Sequence, residues 1–255
     1  MTLFPKICTI TINMILYETS LIDWCETNYL ITNYICEFMN SFSSLSYSII
    51  SIYHLYYITP YVVHKQWIWK LLCYINFILG LSSFFFHATL SLYGQILDEG
   101  SIIAFMFFIL LMIPNLGEYK ILVMLPCFFY FFCASLVRFS LFFVAFIIIR
   151  KQCSMIPKQS LLWKGYKISI LYFLLAFIMW IVDIMFCNYL IVSLHWTWHI
   201  LSSFSQHNLM MVLVIQSHPN DYVLQIIKPF SLISFYKKNQ KQNKTTLDSI
   251  KISKD

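Results

Sequence analysis

Two histidines spaced one helical turn apart inside an apolar segment are the residues best suited to chemistry. They form the run His195-Trp-Thr-Trp-His199. On a helix, positions i and i+4 project from the same face, so both imidazoles can reach one point. Ionisable groups inside a membrane span are costly and usually line a cavity or a functional site. The spacing therefore predicts a metal site, with an interhelical hydrogen-bonded pair as the structural alternative.

A third histidine ends another apolar run, Ser83-Phe-Phe-Phe-His87, and Asp98 follows after a short predicted loop. Three histidines leave the fourth position of a zinc ion open to water, as in catalytic zinc sites. Asp98 is then the expected general base. Ser83 shares the helical face of His87 and can hydrogen-bond a substrate carbonyl. Alternatively, Asp98 only caps the following helix and Ser83 only allows close helix packing.

The composition is that of a membrane protein. The 255 residues are 60% hydrophobic and 11% charged, and the mean hydropathy is +0.72. This much apolar surface favours lipid as the solvent. No basic stripe interleaved with aromatic residues is present, so nucleic acid is not an expected partner. The eight cysteines show no CxxC spacing, which argues against a zinc ribbon or a redox motif.

The elements that must position these groups are predicted to be helices. We expect an all-α fold, a polytopic membrane protein whose seven transmembrane helices form a bundle around an intramembrane zinc site. The predicted spans are 38–58, 70–88, 99–114, 121–136, 139–150, 168–187 and 195–215. The fourth and fifth spans share only about 30 residues, near the lower bound for two crossings.

Charge predicts the domain organisation and the orientation. We expect a luminal N-terminal segment at 1–34, a membrane domain at 35–218 and a basic cytosolic tail at 219–255. Lysines concentrate in that tail, so the positive-inside rule places it in the cytosol. With seven spans the N-terminus is then luminal. His54 and His64 are expected at the membrane interface.

Several segments together carry a family resemblance. They are Asp23-Trp-Cys-Glu-Thr-Asn-Tyr29, Glu37-Phe-Met-Asn40, Phe86-His-Ala-Thr-Leu-Ser91, Gly94-Gln-Ile-Leu-Asp-Glu99 and Trp198-His199-Ile-Leu201. In order and spacing, across residues 23–205, they resemble alkaline ceramidases. This family consists of seven-span zinc amidohydrolases in a wider group that includes adiponectin and progestin receptor-like proteins. The sequence departs locally, at Met39 and at Gly100-Ser101, which bears on the shape of the substrate pocket.

The resemblance implies an enzyme that hydrolyses the amide bond of ceramide to sphingosine and free fatty acid and is regulated by calcium. It implies a zinc site formed by His87, His195 and His199, with Asp98 and Ser83 completing the active site. It also implies a calcium site formed by Asp23, the Trp24 carbonyl, Glu26, Asn28 and Glu37. Composition alone favours a solvated acidic face for these last residues, although their oxygens are the ligands that calcium requires.

The expected setting is the endoplasmic reticulum or Golgi membrane, with ceramide and membrane lipid as partners and no protein partner predicted. Cys25 and Cys187 are both predicted to be luminal, where disulfides persist, so we expect a bridge between them. The alternative is a pair of buried thiols. For the whole chain, the alternatives are a receptor-like or regulatory protein with a closed structural zinc site, or a hydrolase of another lipid amide.

Overall fold

The computed structural model describes residues 18–20, 22–62, 65–112, 160–190, 192–217, 222–227 and 232–237. Its long helices are α1 (Phe38–Tyr53), α2 (Gln66–Thr89), α3 (Leu92–Met112), α4 (Leu161–Phe186) and α5 (His195–Ser217). Helix α1 continues as a π-helical turn, His54–Ile58, and a 3₁₀ turn, Thr59–Tyr61. Another 3₁₀ turn, Cys187–Tyr189, follows α4.

The described helices coincide with five of the seven predicted spans. Three of the helical segments are long and apolar enough to cross a membrane: Gln66–Thr89, Leu92–Met112 and Leu162–Tyr189. Helix α4 exposes Leu171, Leu174 and Ile178 to its surroundings, as expected for a helix that faces lipid. The fourth and fifth predicted spans lie outside the described residues. The structure therefore supports a largely helical membrane protein.

The all-α prediction misses one element, a β-hairpin in the segment assigned to the basic tail. Strand β1 (Tyr222–Ile227) pairs antiparallel with β2 (Leu232–Lys237), with Tyr222 opposite Lys237. Both strands are rich in the β-branched and aromatic residues that favour a pleated backbone. The charge of the segment alone does not reveal this local preference for β-strands.

The helices pack side by side in the order α4, α5, α1, α2, α3. Contact between α1 and α2 is closest at Gly80, where a Cβ would lie 2.2 Å from the Ser48 hydroxyl oxygen and 2.8 Å from its backbone nitrogen. Only glycine allows this approach. Helices α3 and α4 end the row, and both contribute side chains to the same cavity.

An apolar core fills the end of the bundle away from His195 and His199. Trp69, Leu72 and Leu213 are almost completely buried there. His54 lies next to this core and is buried, so its predicted interfacial position is wrong. Its Nε2 atom lies 3.0 Å from Nδ1 of His207 on α5, and this partner replaces the water expected for an interfacial histidine. His64 lies outside the described residues.

Candidate metal centre

The three histidines converge, although they come from two helices distant in sequence. His87 lies near the end of α2, while His195 and His199 occupy the first two turns of α5. All three are buried, and one potential ligand atom from each lies within 4.8 Å of the others. The ring centroids are 4.8 to 5.1 Å apart. The i, i+4 spacing thus does bring His195 and His199 to a common point.

Hydrogen bonds select which nitrogen two of these rings present. His87 Nδ1 lies 2.5 Å from a Glu37 carboxylate oxygen and donates its proton to this oxygen when Glu37 is ionised. His199 Nδ1 lies 2.8 Å from the Ser43 hydroxyl, which itself donates to the Asn40 carbonyl at 3.0 Å. Ser43 therefore accepts from His199. In both rings Nε2 is left with its lone pair, as a metal ligand requires.

His195 is held by stacking. The Trp24 ring lies against it, with centroids 3.7 Å apart and planes 17° apart. Its Nδ1 atom is buried and has no hydrogen-bond partner. Three buried neutral imidazoles, two of them oriented by outer hydrogen bonds, are a donor set that fits zinc. The chemistry of these residues is therefore compatible with a zinc site.

A cavity of about 500 Å³ lies against the histidines. Its apolar wall includes Leu79, Ile102, Phe177 and Trp180. Its polar lining includes Trp24, Ser83, Asp98, Asp183, His195 and His199. The cavity has room for part of a lipid directly beside the candidate metal centre.

Asp98 lies within α3, almost two turns after its start at Leu92. The predicted short loop is present but consists only of Leu90 and Ser91, so Asp98 lies inside the helix and the alternative that it caps α3 is wrong. Gly94 interrupts the apolar run but belongs to the helix. Its missing side chain allows α3 to lie close to the end of α2, since a Cβ there would lie 2.8 Å from the Phe86 Cα. The Asp98 carboxylate is buried and interacts with Ser83, and its Oδ1 atom has no hydrogen-bond partner.

Glu37 joins the N-terminal segment to His87. One carboxylate oxygen accepts from the Trp24 backbone N–H at 3.0 Å, and the other accepts from the Asn40 amide at 3.0 Å and from His87. Its own backbone N–H donates to the His87 carbonyl at 3.0 Å. Burial, followed by the nearby Asp23 charge, raises the pKa of Glu37 to about 7.

The other residues expected to bind calcium have partners within the protein. Glu26 accepts from the backbone N–H groups of Met39 and Asn40, at 2.6 and 2.8 Å, and so caps α1. The Asn28 amide donates to both Asp23 carboxylate oxygens, at 3.2 and 3.3 Å. Burial raises the pKa of Glu26, and the Glu37 charge adds to this effect. Within the described part of the chain, the carboxylates of Asp23, Glu26 and Glu37 do not by themselves form a group of ligand atoms as close as that of the three histidines.

A disulfide joins Cys25 to Cys187 across 162 residues of sequence. It ties the N-terminal segment to the turn after α4 and so holds the neighbouring Trp24 near His195. Cys36 and Cys73 are free, buried thiols.

Sequence reasoning missed two residues that support the centre. Asp183 on α4 accepts through Oδ1 from the Ser193 hydroxyl and the backbone N–H groups of Leu194 and His195, at 3.1, 2.5 and 3.2 Å. It thereby caps α5. A lone carboxylate in the apolar run 168–187 was the signal for Asp183. Ser43 carried no such signal, because it is one serine among many.

Comparison with known proteins points to one family. The sequence profile of the Ceramidase family matches residues 16–225. An alkaline ceramidase of Drosophila melanogaster is 41% identical over 92 residues, which are 33% of this chain and 30% of that protein. Alkaline ceramidase 1 of Homo sapiens is 34% identical over 87 residues, 34% of this chain and 33% of that protein. A putative alkaline ceramidase of Dictyostelium discoideum is 38% identical over 116 residues, 40% of each chain.

Proposed function

The chain belongs to the ceramidase family, and from this premise we propose that it is a membrane-embedded, zinc-dependent hydrolase that cleaves ceramide to sphingosine and free fatty acid. Its matched regions span about a third of the length of the Drosophila and human relatives named as alkaline ceramidases. The observation that carries the proposal is the unpartnered Asp98 oxygen in a cavity beside three converging histidines.

The open cavity favours an enzyme over a receptor-like protein with a structural zinc site. A structural site is closed by a fourth protein ligand, whereas a catalytic site keeps one position for water. Among the described residues, the group of close ligand atoms contains three histidines and no fourth protein ligand. Asp98 also has a free oxygen, which a purely structural carboxylate deep in a protein would use.

Asp98 is the proposed general base and acid. A bound zinc ion would supply a Lewis acid at the point where water attacks the amide carbonyl. Asp98 accepts a proton from that water at Oδ1 and delivers it to the departing amine nitrogen. Ser83 interacts with this carboxylate in the absence of substrate, and we assign its single hydroxyl proton to the substrate carbonyl oxygen once substrate is bound. The apolar wall then accommodates hydrocarbon of the lipid.

We retain calcium as a regulator that binds at Asp23, Trp24, Glu26, Asn28 and Glu37. The charge of the site supports this assignment, because, in addition to burial, the Glu37 charge raises the pKa of Glu26 and the Asp23 charge raises the pKa of Glu37. A divalent cation would relieve that repulsion. Since Glu37 also contacts His87, calcium at Glu37 would act on the metal centre through one side chain.

We propose a luminal N-terminus and a cytosolic C-terminus in the endoplasmic reticulum or Golgi membrane. The Cys25–Cys187 disulfide supports this orientation, because disulfides persist on the luminal side. Asn243-Lys-Thr245, outside the described residues, is a glycosylation sequon that tests the orientation. A cytosolic tail stays unmodified. A glycosidase-sensitive mass shift that disappears in Asn243→Gln would reverse the proposed orientation.

The function is tested on purified full-length protein in detergent. Fatty-acid release from ceramides of several acyl lengths is measured together with zinc content. We expect about one zinc per chain and turnover of at least one ceramide, with Asp98→Asn retaining zinc but losing turnover. Protein without zinc under non-chelating conditions overturns the zinc mechanism. Zinc-loaded protein that hydrolyses only other lipid amides overturns the substrate assignment.

A further inference from the structure

We propose that Asp183 binds a hydroxyl group of the substrate's amino-alcohol half, through the carboxylate oxygen that does not cap α5. The inference rests on the proposed function, because ceramide carries hydroxyls on both carbons that flank its nitrogen-bearing carbon. It gives Asp183 a role in substrate selection separate from its support of the helix that carries His195 and His199.

The two oxygens of Asp183 have different environments. Oδ1 accepts three hydrogen bonds from the start of α5, the shortest being 2.5 Å from the Leu194 nitrogen. The Asp183 side chain is completely buried, so Oδ2 cannot reach water, and it has no hydrogen-bond partner in the protein. A helix cap needs one oxygen. Leaving the second oxygen of a carboxylate dry and unbonded is costly, which indicates that a ligand supplies the missing donor.

The position of Asp183 connects this oxygen to the reaction. Asp183 lines the cavity that is also lined by Asp98, His195 and His199, and its Oδ1 lies 3.2 Å from the His195 backbone nitrogen. A ligand whose amide lies at the histidines therefore has its neighbouring atoms within reach of this part of the wall. The hydroxyl-bearing carbons of ceramide lie two bonds from the amide nitrogen.

A second unpartnered group in the same cavity favours a hydroxyl ligand. The indole N–H of Trp24 is buried without an acceptor, and Trp24 lines the cavity beside His195. A hydroxyl both donates and accepts, and the amino-diol end of ceramide offers two of them. Such a ligand satisfies the carboxylate and the indole together, whereas a purely apolar amine leaves both unpaired.

The test needs no mutation in its first arm. The wild-type protein is assayed with ceramide, with 1-deoxyceramide, which lacks the primary hydroxyl, and with 3-ketoceramide, in which the secondary hydroxyl is a carbonyl. A hydrogen bond to a charged acceptor predicts that kcat/KM falls about 10- to 100-fold for one of the two analogues. Equal kcat/KM values for all three substrates overturn the proposal.

The second arm uses Asp183→Asn, which keeps one oxygen to accept from Leu194 and His195 and replaces the free oxygen by an amide. We expect kcat/KM for ceramide to fall about tenfold, mainly through KM, with zinc content unchanged. For the analogue that lacks the recognised hydroxyl, kcat/KM should be almost the same in Asp183→Asn as in the wild type. Ser193→Ala is the matched control, since it removes one donor from the cap and leaves Oδ2 untouched. An equal loss for ceramide and both analogues in Asp183→Asn would reduce Asp183 to a helix cap.

A binding measurement separates this proposal from the proposed function. Trp24, Trp180 and Trp198 line the cavity, so ligand binding is followed by tryptophan fluorescence without turnover. Sphinganine is compared with its 1-deoxy and 3-keto forms in wild type and Asp183→Asn. Hydroxyl-dependent binding lost in Asp183→Asn supports the proposal even if ceramide is not hydrolysed. Equal affinity for sphinganine and for its 1-deoxy and 3-keto forms overturns the proposal even if ceramide is hydrolysed.

Discussion

Two groups of buried histidines in this protein have opposite surroundings. At one end of the bundle, His195 and His199 line a cavity and, with His87, bring three ligand atoms within 4.8 Å of one another. At the other end, His54 and His207 hydrogen-bond to each other at 3.0 Å, and the His54 ring lies 5.3 Å from the ring of Trp69. Burial alone therefore does not mark a functional histidine.

The two groups differ in which ring nitrogen forms a hydrogen bond within the protein and in what the other ring nitrogen faces. His87 and His199 use Nδ1 on outer partners, Glu37 and Ser43, and keep Nε2 for a ligand. His54 uses Nε2 on its fellow histidine. The first group is therefore a candidate metal site and the second an interhelical contact, and variants of the two groups test this difference.

The largest effect is expected from His199→Ala. It removes one of three ligands, so zinc and hydrolysis should fall to background together. The matched control is His207→Ala on the same helix, which should keep zinc and most activity. Metal analysis and fatty-acid release are measured on both proteins. Loss of zinc from both variants would mean that His207 also supports zinc binding, which contradicts the difference between the two histidine groups.

Asp98→Asn should lower kcat by about 100- to 10,000-fold, the usual contribution of a general acid–base group. The amide is nearly isosteric but cannot take up the proton from water. Zinc content and melting temperature should stay near the wild-type values. Retention of normal turnover would remove Asp98 from the mechanism.

Glu37→Gln should weaken zinc binding about 10- to 100-fold, because it removes the carboxylate that orients His87. Glu26→Gln is the matched control, since Glu26 caps α1 by accepting from the backbone N–H groups of Met39 and Asn40. Zinc affinity is measured by competition with a chelator. Equal effects of the two substitutions would show that the acidic segment acts on the fold as a whole.

Calcium affinity should rise about tenfold between pH 6 and pH 8, because a carboxyl with a pKa of about 7 passes from mostly protonated to mostly ionised. Only the ionised form binds the cation. In the absence of calcium, stability has the opposite pH dependence. The folded state holds the Glu37 proton more tightly than the unfolded chain, so the free energy of unfolding falls as pH rises from about 4.5 through 7. Calcium titrations and melting temperatures across this range test both statements, and Glu37→Gln should flatten both curves.

The smallest functional effect is expected from His54→Asn. It breaks the contact with His207 and should cost about 0.5 to 2 kcal/mol of stability. Zinc content and kcat should not change. A loss of zinc from this variant would link the two histidine groups and contradict the distinction drawn between them.

The helices and the histidine pair were predictable because both depend on local periodicity. Apolar runs located α2 and α4, and the i, i+4 rule placed His195 and His199 on one face. Asp98 was misplaced because Gly94 and Gln95 interrupt the apolar pattern without interrupting the helix. The contacts of Asp183 with α5 and of Glu37 with His87 join residues far apart in sequence. No local pattern encodes such contacts.

The Cys25–Cys187 disulfide has a consequence for biosynthesis. Its two cysteines are separated by 162 residues, which a ribosome takes about 10 to 30 s to add. Asp183 is made near the end of that interval, and His195 and His199 follow Cys187 by 8 and 12 residues. A chain that stops before residue 183 therefore lacks the partner thiol, the α5 cap and two of the three histidines at once. The candidate metal centre can therefore form only after residue 199 has been added.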